Sequence, residues 1–171
     1  YGAAVVGLAL GENGLPTTCE ARMGFARTIL NAALEAGIAR ENVAIDCLTL
    51  TVSAQQDQVK QTLEAVARVR GELGLETVLG VSNISFGLPQ RTLVTQAFLT
   101  QAIQSGLTLP IINPNQKEMM DAVDACRVLS GEDAHCAAYI ERHAAQTKPQ
   151  AEQKPGVKLS IADAIAKGLC D

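Results

Sequence analysis

Three polar residues follow predicted strands of this chain and could bind a small polar ligand. Asp46 ends one apolar segment, Asn83 follows a second, and Asn113 follows a third. In a barrel, the carboxyl ends of parallel strands converge on one mouth, which would bring these side chains together. A carboxylate accepts hydrogen bonds, and an amide both donates and accepts them. Burying Asp46 without a partner would be costly, so ligand contact is the favoured interpretation, with a structural cap as the alternative.

The loop after the third predicted strand contributes further candidates. Gly80 and Ser82 lie beside Asn83, and Arg91 begins the next helical pattern, where its two-pronged donor group could bind a ligand carboxylate. The alternative is a loop whose polar groups only satisfy the backbone. For Asn113 a turn or helix start is the favoured interpretation, because Asn before Pro is a common turn signal.

The histidines and cysteines do not form a metal-binding pattern. His135 and Cys136 are adjacent and cannot share a helix face, and His143 lies two turns further on. The five cysteines are odd in number and include no C-x-x-C pair, which argues against a disulfide framework or a zinc ribbon. We therefore predict no metal site, free cysteines that pack as small apolar groups, and a reducing compartment such as the cytoplasm.

Composition and charge exclude several classes of function. Hydrophobic residues make up 47% of the 171 residues and aromatic residues only 3%, which predicts one globular domain with an aliphatic core. The net charge is −4 without a basic cluster, which argues against nucleic acid or an anionic membrane as a partner. No apolar run approaches the roughly 18 residues of a membrane span.

Alternating patterns predict four β/α units that would position the candidate residues. Strands are expected at 2–10, 43–48, 77–81 and 109–112, with the first buried on both faces. Helices are expected after a capping box at Thr17 and Glu20, and at 55–73, 91–105, 116–130 and 134–145. Leu93, Ala97 and Leu129 are among the residues expected to face inward. The order predicts a parallel sheet, either half of a (β/α)8 barrel or an open doubly wound sheet.

The predicted boundaries divide the chain into three parts. Residues 1–146 form the β/α region, 147–157 are polar with two prolines and indicate a linker, and 158–171 start a further helical module. The chain begins at Tyr1, without Met, and enters an apolar run at once. We therefore expect a fragment or an internal piece of a longer protein.

The segment from Gly80 to Arg91, GVSNISFGLPQR, closely resembles a signature of the pterin-binding methyltransferase domain. That domain occurs in cobalamin-dependent methionine synthase and in methyltetrahydrofolate:corrinoid methyltransferases. Residues 1–6 resemble the fifth strand of the family, 43–46 its sixth strand, and 95–113 its seventh helix and eighth strand. The resemblance implies the C-terminal half of a (β/α)8 TIM barrel like that of dihydropteroate synthase, followed by a linker and the start of a helical cobalamin-binding cap.

The same resemblance implies roles for the candidate residues. Asp46 would hydrogen-bond the pterin ring, and Asn83 would sit beside N5 of 5-methyltetrahydrofolate and stabilise its protonated amine as the catalytic residue. The methyl group would pass to Co(I) of cobalamin, bound by another module, and then to homocysteine to make methionine. The residues implied in substrate binding are Asp46, Gly80, Ser82, Asn83, Arg91 and Asn113.

Other functions remain open at this stage. One is a methyltetrahydrofolate:corrinoid protein methyltransferase of the acetyl-CoA pathway, and another is a non-catalytic pterin-binding half-barrel. Dihydropteroate synthase is disfavoured because its late Lys and Arg-His motif is absent. The remaining pterin contacts of the family lie on first-half strands that this chain lacks. The chain alone is therefore expected to be inactive and to self-associate through its open strand edges, a homodimer being one outcome.

Overall fold

A computed structural model describes residues 2–11 and 14–144 as alternating strands and helices. The strands are β1 Val5–Leu8, β2 Val43–Asp46, β3 Glu76–Gly80 and β4 Leu109–Ile111. The helices are α1 Cys19–Glu35, α2 Gln58–Arg68, α3 Arg91–Gln104, α4 Lys117–Leu129 and α5 Ala137–Ala144. A π-helical turn, Val69–Leu73, continues α2, and short 3₁₀ turns span Arg40–Asn42, Val81–Ser85 and Ala134–Cys136. The predicted β/α order is confirmed, although β1, β2 and β4 are shorter than their apolar runs.

The four strands form one parallel sheet whose spatial order is β1-β2-β3-β4. The order follows the chain without the reversal that defines a doubly wound sheet. Neighbouring strands joined by helical crossovers in this sequence are the arrangement of a (β/α)8 barrel. The described strands do not close on themselves, so the fold is a partial TIM barrel, as predicted.

Helices of the described chain pack on one face of the sheet only. A Cβ atom built on Gly7 would lie 2.5 Å from Cγ2 of Ile29, so this position of β1 faces α1. Because side chains alternate along a strand, Val6 and Leu8 point the other way, and they are 53% and 50% exposed. The prediction that the first strand is buried on both faces is therefore wrong.

The strand register separates a covered face from an open face. The covered face packs against the helices and includes Gly7, Val43, Ile45 and Leu79. The open face points away from them and includes Val6, Leu8, Asp46, Val78, Leu109 and Ile111. The buried residues beneath the helices are mainly aliphatic, which confirms the predicted aliphatic core.

The capping residue of α1 differs from the prediction. The side chain of Thr18 accepts the backbone N–H of Ala21 at 3.2 Å, so Thr18 rather than Thr17 caps the helix. The predicted capping box is wrong because the carboxylate of Glu20 lies 2.8 Å from Arg68 instead of reaching back to the helix start.

Three residues that were predicted to face inward on α3 and α4 are exposed. α3 buries Thr95, Phe98, Leu99 and Ala102. Leu93 is 62% exposed and Ala97 is also exposed, contrary to the prediction. The apolar residues of α3 are spread around the helix, so their spacing does not select one face. Leu129 is 84% exposed because it is the last residue of α4.

The chain divides into two compact units, Tyr1–Glu132 and Asp133–Asp171. The described part of the second unit, residues 133–144, contains α5. The carboxylate of Asp133 accepts the backbone N–H groups of Ala138 and Tyr139 at 3.0 Å and 2.8 Å. The predicted linker 147–157 and the module 158–171 lie outside the described residues. Among the described helices, none has the length and apolar character needed to cross a membrane.

Candidate functional site

The ends of three strands lie along one edge of the sheet. Asp46 is the last residue of β2, Gly80 is the last residue of β3, and Asn113 follows the end of β4 at Ile111. These strands are parallel and paired in register, so the three positions lie at the carboxyl edge. The structure thus brings the predicted candidates to the same edge, and their roles in ligand binding stay predictions.

Asp46 presents a partly buried carboxylate on the open face. Its Oδ1 accepts the backbone N–H of Leu48 at 2.9 Å, and its main-chain carbonyl accepts the N–H of Ala9 at 3.0 Å. Burial raises the pKa of Asp46 above the ordinary range, and the hydrogen bond from Leu48 offsets part of this rise. No cation is among the causes of the shift. The carboxylate is therefore oriented by the backbone and keeps acceptor capacity for a ligand.

The turn after Asp46 has a left-handed residue at its centre. Leu48 has φ of 64°, a value that non-glycine residues rarely adopt. Its carbonyl accepts a hydrogen bond from Oγ1 of Thr62 at 3.2 Å. The hydroxyl of Thr49 is buried, and it has no hydrogen-bond partner among the described residues. The turn is thus fixed through both polar groups of the Leu48 backbone.

Arg22 is a buried residue behind this turn that the sequence analysis did not predict. It is 1% exposed and donates to Thr62 at 2.6 Å. The sequence does contain a signal for its burial, namely helical spacing. Cys19 lies three residues before Arg22 and Ala26 four residues after it, and both are buried. Helical spacing therefore places Arg22 on the inner face of α1.

Gly80 gives the amide of Asn83 room to lie over the end of β3. A Cβ atom built on Gly80 would lie 3.0 Å from Nδ2 of Asn83, which is closer than an ordinary contact. Asn83 belongs to the 3₁₀ turn Val81–Ser85 and is exposed. The hydrogen bonds of the described residues include its backbone carbonyl, which accepts from Phe86, but not its side-chain amide. This exposed amide can therefore donate and accept hydrogen bonds to a ligand.

Arg91 is held over the same loop by three contacts. Its Nε donates to Oγ of Ser85 at 3.2 Å, and its Nη2 donates to the carbonyl of Ser82 at 2.9 Å. Its guanidinium carbon lies 5.6 Å from the ring centre of Phe86. The hydroxyl of Ser85 is also 2.8 Å from that of Thr95, and both residues are buried. Two buried hydroxyls thus support the orientation of Arg91.

A polar pocket of about 250 Å³ opens beside this arginine. Its lining consists of Ser82, Arg91, Thr92, Thr95 and Gln116. The side-chain amide of Gln116 donates to the hydroxyl of Thr92 at 3.0 Å, which links the start of α4 to the start of α3. The pocket therefore joins the loops that follow β3 and β4.

Asn113 lies at the start of a turn, which is the structure that its sequence favoured. Its Oδ1 accepts the backbone N–H of Asn115 at 3.0 Å, and its carbonyl accepts the N–H of Gln116 at 3.1 Å. One side-chain acceptor is therefore used by the turn. A ligand contact through its amide nitrogen stays a prediction.

The cysteines of the described chain are poorly suited to nucleophilic chemistry. Cys19 and Cys47 are buried, and no disulfide joins the described cysteines. Burial is the main cause that raises the pKa of Cys47 to about 12, with the nearby Asp46 adding to the rise. No group of three or more His, Cys, Asp or Glu residues that could hold a metal ion is found within residues 2–11 and 14–144.

Another pocket of the first unit lies away from these strand ends. Its volume is about 450 Å³, and the residues lining it include Gln104 and Ser105 near the end of α3 and Leu129 at the end of α4. In a β/α unit the carboxyl ends of the helices lie at the amino edge of the sheet. This pocket is thus on the opposite edge from Asp46 and Asn83, and we do not assign ligand chemistry to it.

Comparison with known protein families supports the predicted resemblance. The model of the family described as pterin binding enzyme matches residues 12–113, more than half of the chain. The matched segment contains Asp46, the segment from Gly80 to Arg91, and Asn113 at its end. The family model thus includes every predicted site residue.

Curated relatives agree with that family. A methylcorrinoid:tetrahydrofolate methyltransferase of Eubacterium limosum is 26% identical over 138 residues, which cover 79% of this chain and 50% of the relative. Methionine synthases of Mycobacterium leprae and Mycobacterium tuberculosis are 31% and 30% identical over 124 residues, which cover 68% of this chain and 10% of each relative. The chain thus spans half the length of the first relative and a tenth of the other two.

Proposed function

Because the chain belongs to the pterin-binding enzyme family, we propose that it forms part of the folate site of a methyltransferase. The reaction would move a methyl group between N5 of tetrahydrofolate and the cobalt of a corrinoid. The observation that carries the proposal is the placement of two complementary groups at one edge of the sheet. Asp46 offers a partly buried acceptor, and Asn83 offers an exposed amide in the next loop.

In this proposal Asp46 binds the pterin ring rather than reacting with it. The amino-pyrimidinone edge of a pterin carries N–H donors, and a carboxylate accepts them in charge-assisted hydrogen bonds. The Leu48 N–H already occupies Oδ1, which orients the carboxylate and leaves acceptor positions on both oxygens. Burial strengthens each such bond because it excludes competing water.

Asn83 is proposed as the catalytic residue. Methyl transfer from N5 requires the ring nitrogen to carry a proton, so that tetrahydrofolate can leave as a neutral amine. An amide beside N5 can accept a hydrogen bond from that N–H as its charge develops. Prealigned polar groups of this kind are an effective means of lowering a barrier. Gly80 would set the position of the amide, because a larger residue there would displace it.

Ser82, Arg91 and Asn113 are proposed as supporting contacts. The pocket beside Arg91 is polar, and the guanidinium keeps donors that its contacts with Ser82 and Ser85 do not use. Such a group suits a carbonyl or carboxylate of the substrate. The free amide nitrogen of Asn113 lies at the same edge and could donate a further hydrogen bond.

The corrinoid would be held by another module of the protein or by a separate protein. A bound corrinoid supplies the cobalt atom that exchanges the methyl group. The residues of this chain would bind the folate, orient N5 and stabilise its proton.

Among the members of the family, we propose a methionine synthase that transfers the methyl group onward to homocysteine. The support is the sequence after residue 146, which resembles a linker followed by the start of a cobalamin-binding cap. The alternative is a methyltransferase that acts on a separate corrinoid protein, as the printed name of the relative from Eubacterium limosum suggests. Addition of homocysteine to the complete protein distinguishes the two, because only the first produces methionine.

The proposal is tested by equilibrium titration of the complete protein with 5-methyltetrahydrofolate. We expect saturable binding, and we expect none for p-aminobenzoylglutamate, which lacks the pterin ring. Equal binding of the two ligands, or no binding of the folate, would contradict a pterin site. A second measurement follows the methyl group from labelled folate to an added reduced corrinoid.

A further inference from the structure

Arg22 is a buried cation, and its described contacts do not compensate for the cost of burying its charge. Its hydrogen-bond partners among residues 2–11 and 14–144 are neutral: Thr62 at 2.6 Å, Gln58 at 3.2 Å, and the carbonyl of Pro16 at 3.4 Å. The salt bridges of the described residues do not include it. A buried charge without a paired carboxylate is unfavourable, and an apolar residue of similar volume is often tolerated better. A cation retained in such a position suggests a task other than packing.

Two further hydrogen bonds connect Arg22 to the turn beside the candidate site. Nη1 of Arg22 donates to Oγ1 of Thr62, which donates to the carbonyl of Leu48 at 3.2 Å. A hydroxyl has a single proton, and Arg22 cannot accept it, so the proton of Thr62 is directed to Leu48. The N–H of Leu48 in turn donates to Oδ1 of Asp46 at 2.9 Å. The path from Arg22 to Asp46 therefore consists of three consecutive hydrogen bonds.

This path restrains a backbone conformation that would otherwise be unfavourable. Leu48 has φ of 64°, and a leucine in this region relaxes unless its surroundings hold it. Its carbonyl is held by Thr62, and its N–H is held by Asp46. Release of the carbonyl would allow the peptide to rotate and turn the N–H away from the carboxylate.

The charge of Arg22 does not reach Asp46 directly. The pKa of Asp46 is set by burial, which raises it, and by the Leu48 N–H, which lowers it. The neighbours of Asp46 in the strand register are Leu8 on β1 and Val78 on β3, and both are apolar. Cys47 is the adjacent titratable group, and its thiol stays protonated because its pKa is raised to about 12. The hydrogen bonds through Thr62 and Leu48 are therefore the connection from Arg22 to Asp46 that the structure shows.

We infer that Arg22 and Thr62 are positioning residues that aim the Asp46 carboxylate through the left-handed turn at Leu48. The inference rests on the proposed function in one respect, namely that Asp46 contacts the folate. Arg22 also donates to the carbonyl of Pro16, so the same side chain links the loop after β1 to Thr62 of α2. Thr62 in turn donates to Leu48 in the loop after β2.

The test replaces Thr62 by Val in the complete protein, which removes the hydroxyl and keeps the shape. The control is Thr28→Val on α1, where the hydroxyl is exposed and donates only to its own helix. Titration of labelled aspartate carboxyls by carbon NMR, assigned with Asp46→Asn, reports the pKa of Asp46 in the free protein. We expect Thr62→Val to raise that pKa, because the Leu48 N–H no longer favours the ionised form.

The same variants are then titrated with 5-methyltetrahydrofolate. We expect about tenfold weaker binding for Thr62→Val, no change for Thr28→Val, and recovery of wild-type affinity for Thr62→Ser. If Thr62→Val does not fold, Arg22→Lys replaces it, with Arg27→Lys as the exposed control. A lysine keeps the charge but cannot span Thr62 and Gln58 with one nitrogen.

Two results would overturn the inference. One is a Thr62→Val protein with an unchanged Asp46 titration. The other is a change in folding stability alone, with the pKa and the affinity both at wild-type values. A wild-type protein that binds no folate would instead refute the proposed function, and the NMR titration would still decide whether the hydrogen bonds position Asp46.

Discussion

The covered face and the open face of the sheet both carry aliphatic residues, but these are buried on the first face and exposed on the second. On the covered face, Ile45 and Leu79 are fully buried beneath the helices. On the open face, Leu8 and Ile111 are 50% and 61% exposed, and Asp46 lies in the same set of positions. The difference teaches that the core packs against one side of the four strands, while the proposed ligand contact through Asp46 falls on the other side. Substitutions on the two faces should therefore have separable effects.

The largest expected effect comes from truncating a residue of the covered face. In the 171-residue chain at low concentration, Ile45→Ala should lower the free energy of unfolding by about 2–5 kcal/mol, because a cavity forms in a closed core. Leu8→Ala, the matched change on the open face, should lower it by less than about 1 kcal/mol. Urea denaturation measures both. Equal losses would mean that the two faces are packed alike.

The next effect concerns chemistry at the carboxyl edge. In the complete protein, Asn83→Ala should lower the methyl-transfer rate by about 10²–10³-fold, the usual cost of removing one prealigned polar group. Its folding stability should change little, because Asn83 is exposed. Asn42→Ala, at the amino end of β2, is the control. The measurement is the methyl-transfer rate of each variant at saturating folate. A wild-type rate for Asn83→Ala would refute its catalytic role.

Asp46→Asn should separate binding from stability on the open face. The affinity for folate should fall by about 10–100-fold, since a charge-assisted acceptor is worth about 1.5–3 kcal/mol. Stability should not fall at neutral pH, because burial raises the pKa of Asp46 and the ionised form opposes folding. The Asp46 side chain contributes fully to the free energy of unfolding below the ordinary aspartate pKa. This contribution is lost as the pH rises through the raised pKa of Asp46 in the folded protein.

Folate titration and urea denaturation at acid and neutral pH check this prediction. Glu41→Gln, which removes an exposed acid just before β2, controls for the change in charge. An Asp46→Asn protein that keeps its affinity but loses stability would identify Asp46 as a structural residue instead.

The smallest effect concerns association of the 171-residue chain through its open face. Apolar residues on an unpaired sheet favour self-association, and Leu109 and Ile111 are 47% and 61% exposed on the edge strand β4. Sedimentation should show concentration-dependent association that weakens by about tenfold when both residues are changed to Ser. Leu129→Ser, on the helical side, should have no effect. A monomer at all concentrations would contradict this use of the open face.

The sequence was sufficient for the order of elements and for the edge at which the candidates meet. Alternating apolar runs determine the β/α order, and Asp46 and Asn83 each follow a strand, so their placement required only a parallel sheet. The open face could not be predicted, because Val6 and Leu8 are apolar whether or not another layer covers them. The α1 cap was also missed, since Thr17 and Thr18 are chemically equivalent and only the folded backbone determines which hydroxyl accepts the N–H of Ala21.

The supporting residues of the site were hidden for a different reason. Arg22 has the correct helical spacing for burial, but a charged residue is usually assigned to the surface. Ser85 and Thr95 are far apart in the loop and helix, and nothing in their local sequence indicates that their hydroxyls lie 2.8 Å apart. Contacts between distant polar side chains depend on the packed structure and leave no periodic signal.

The space above Gly80 has a consequence for how this protein can diverge. A methyl group there would lie 3.0 Å from the amide of Asn83, and it would displace that amide without disturbing the fold. We therefore expect an alanine at position 80 to impair the proposed activity more than the folding. In an alignment of relatives we expect glycine at this position wherever asparagine is kept at position 83, and we expect both to vary together in lineages that have lost the reaction.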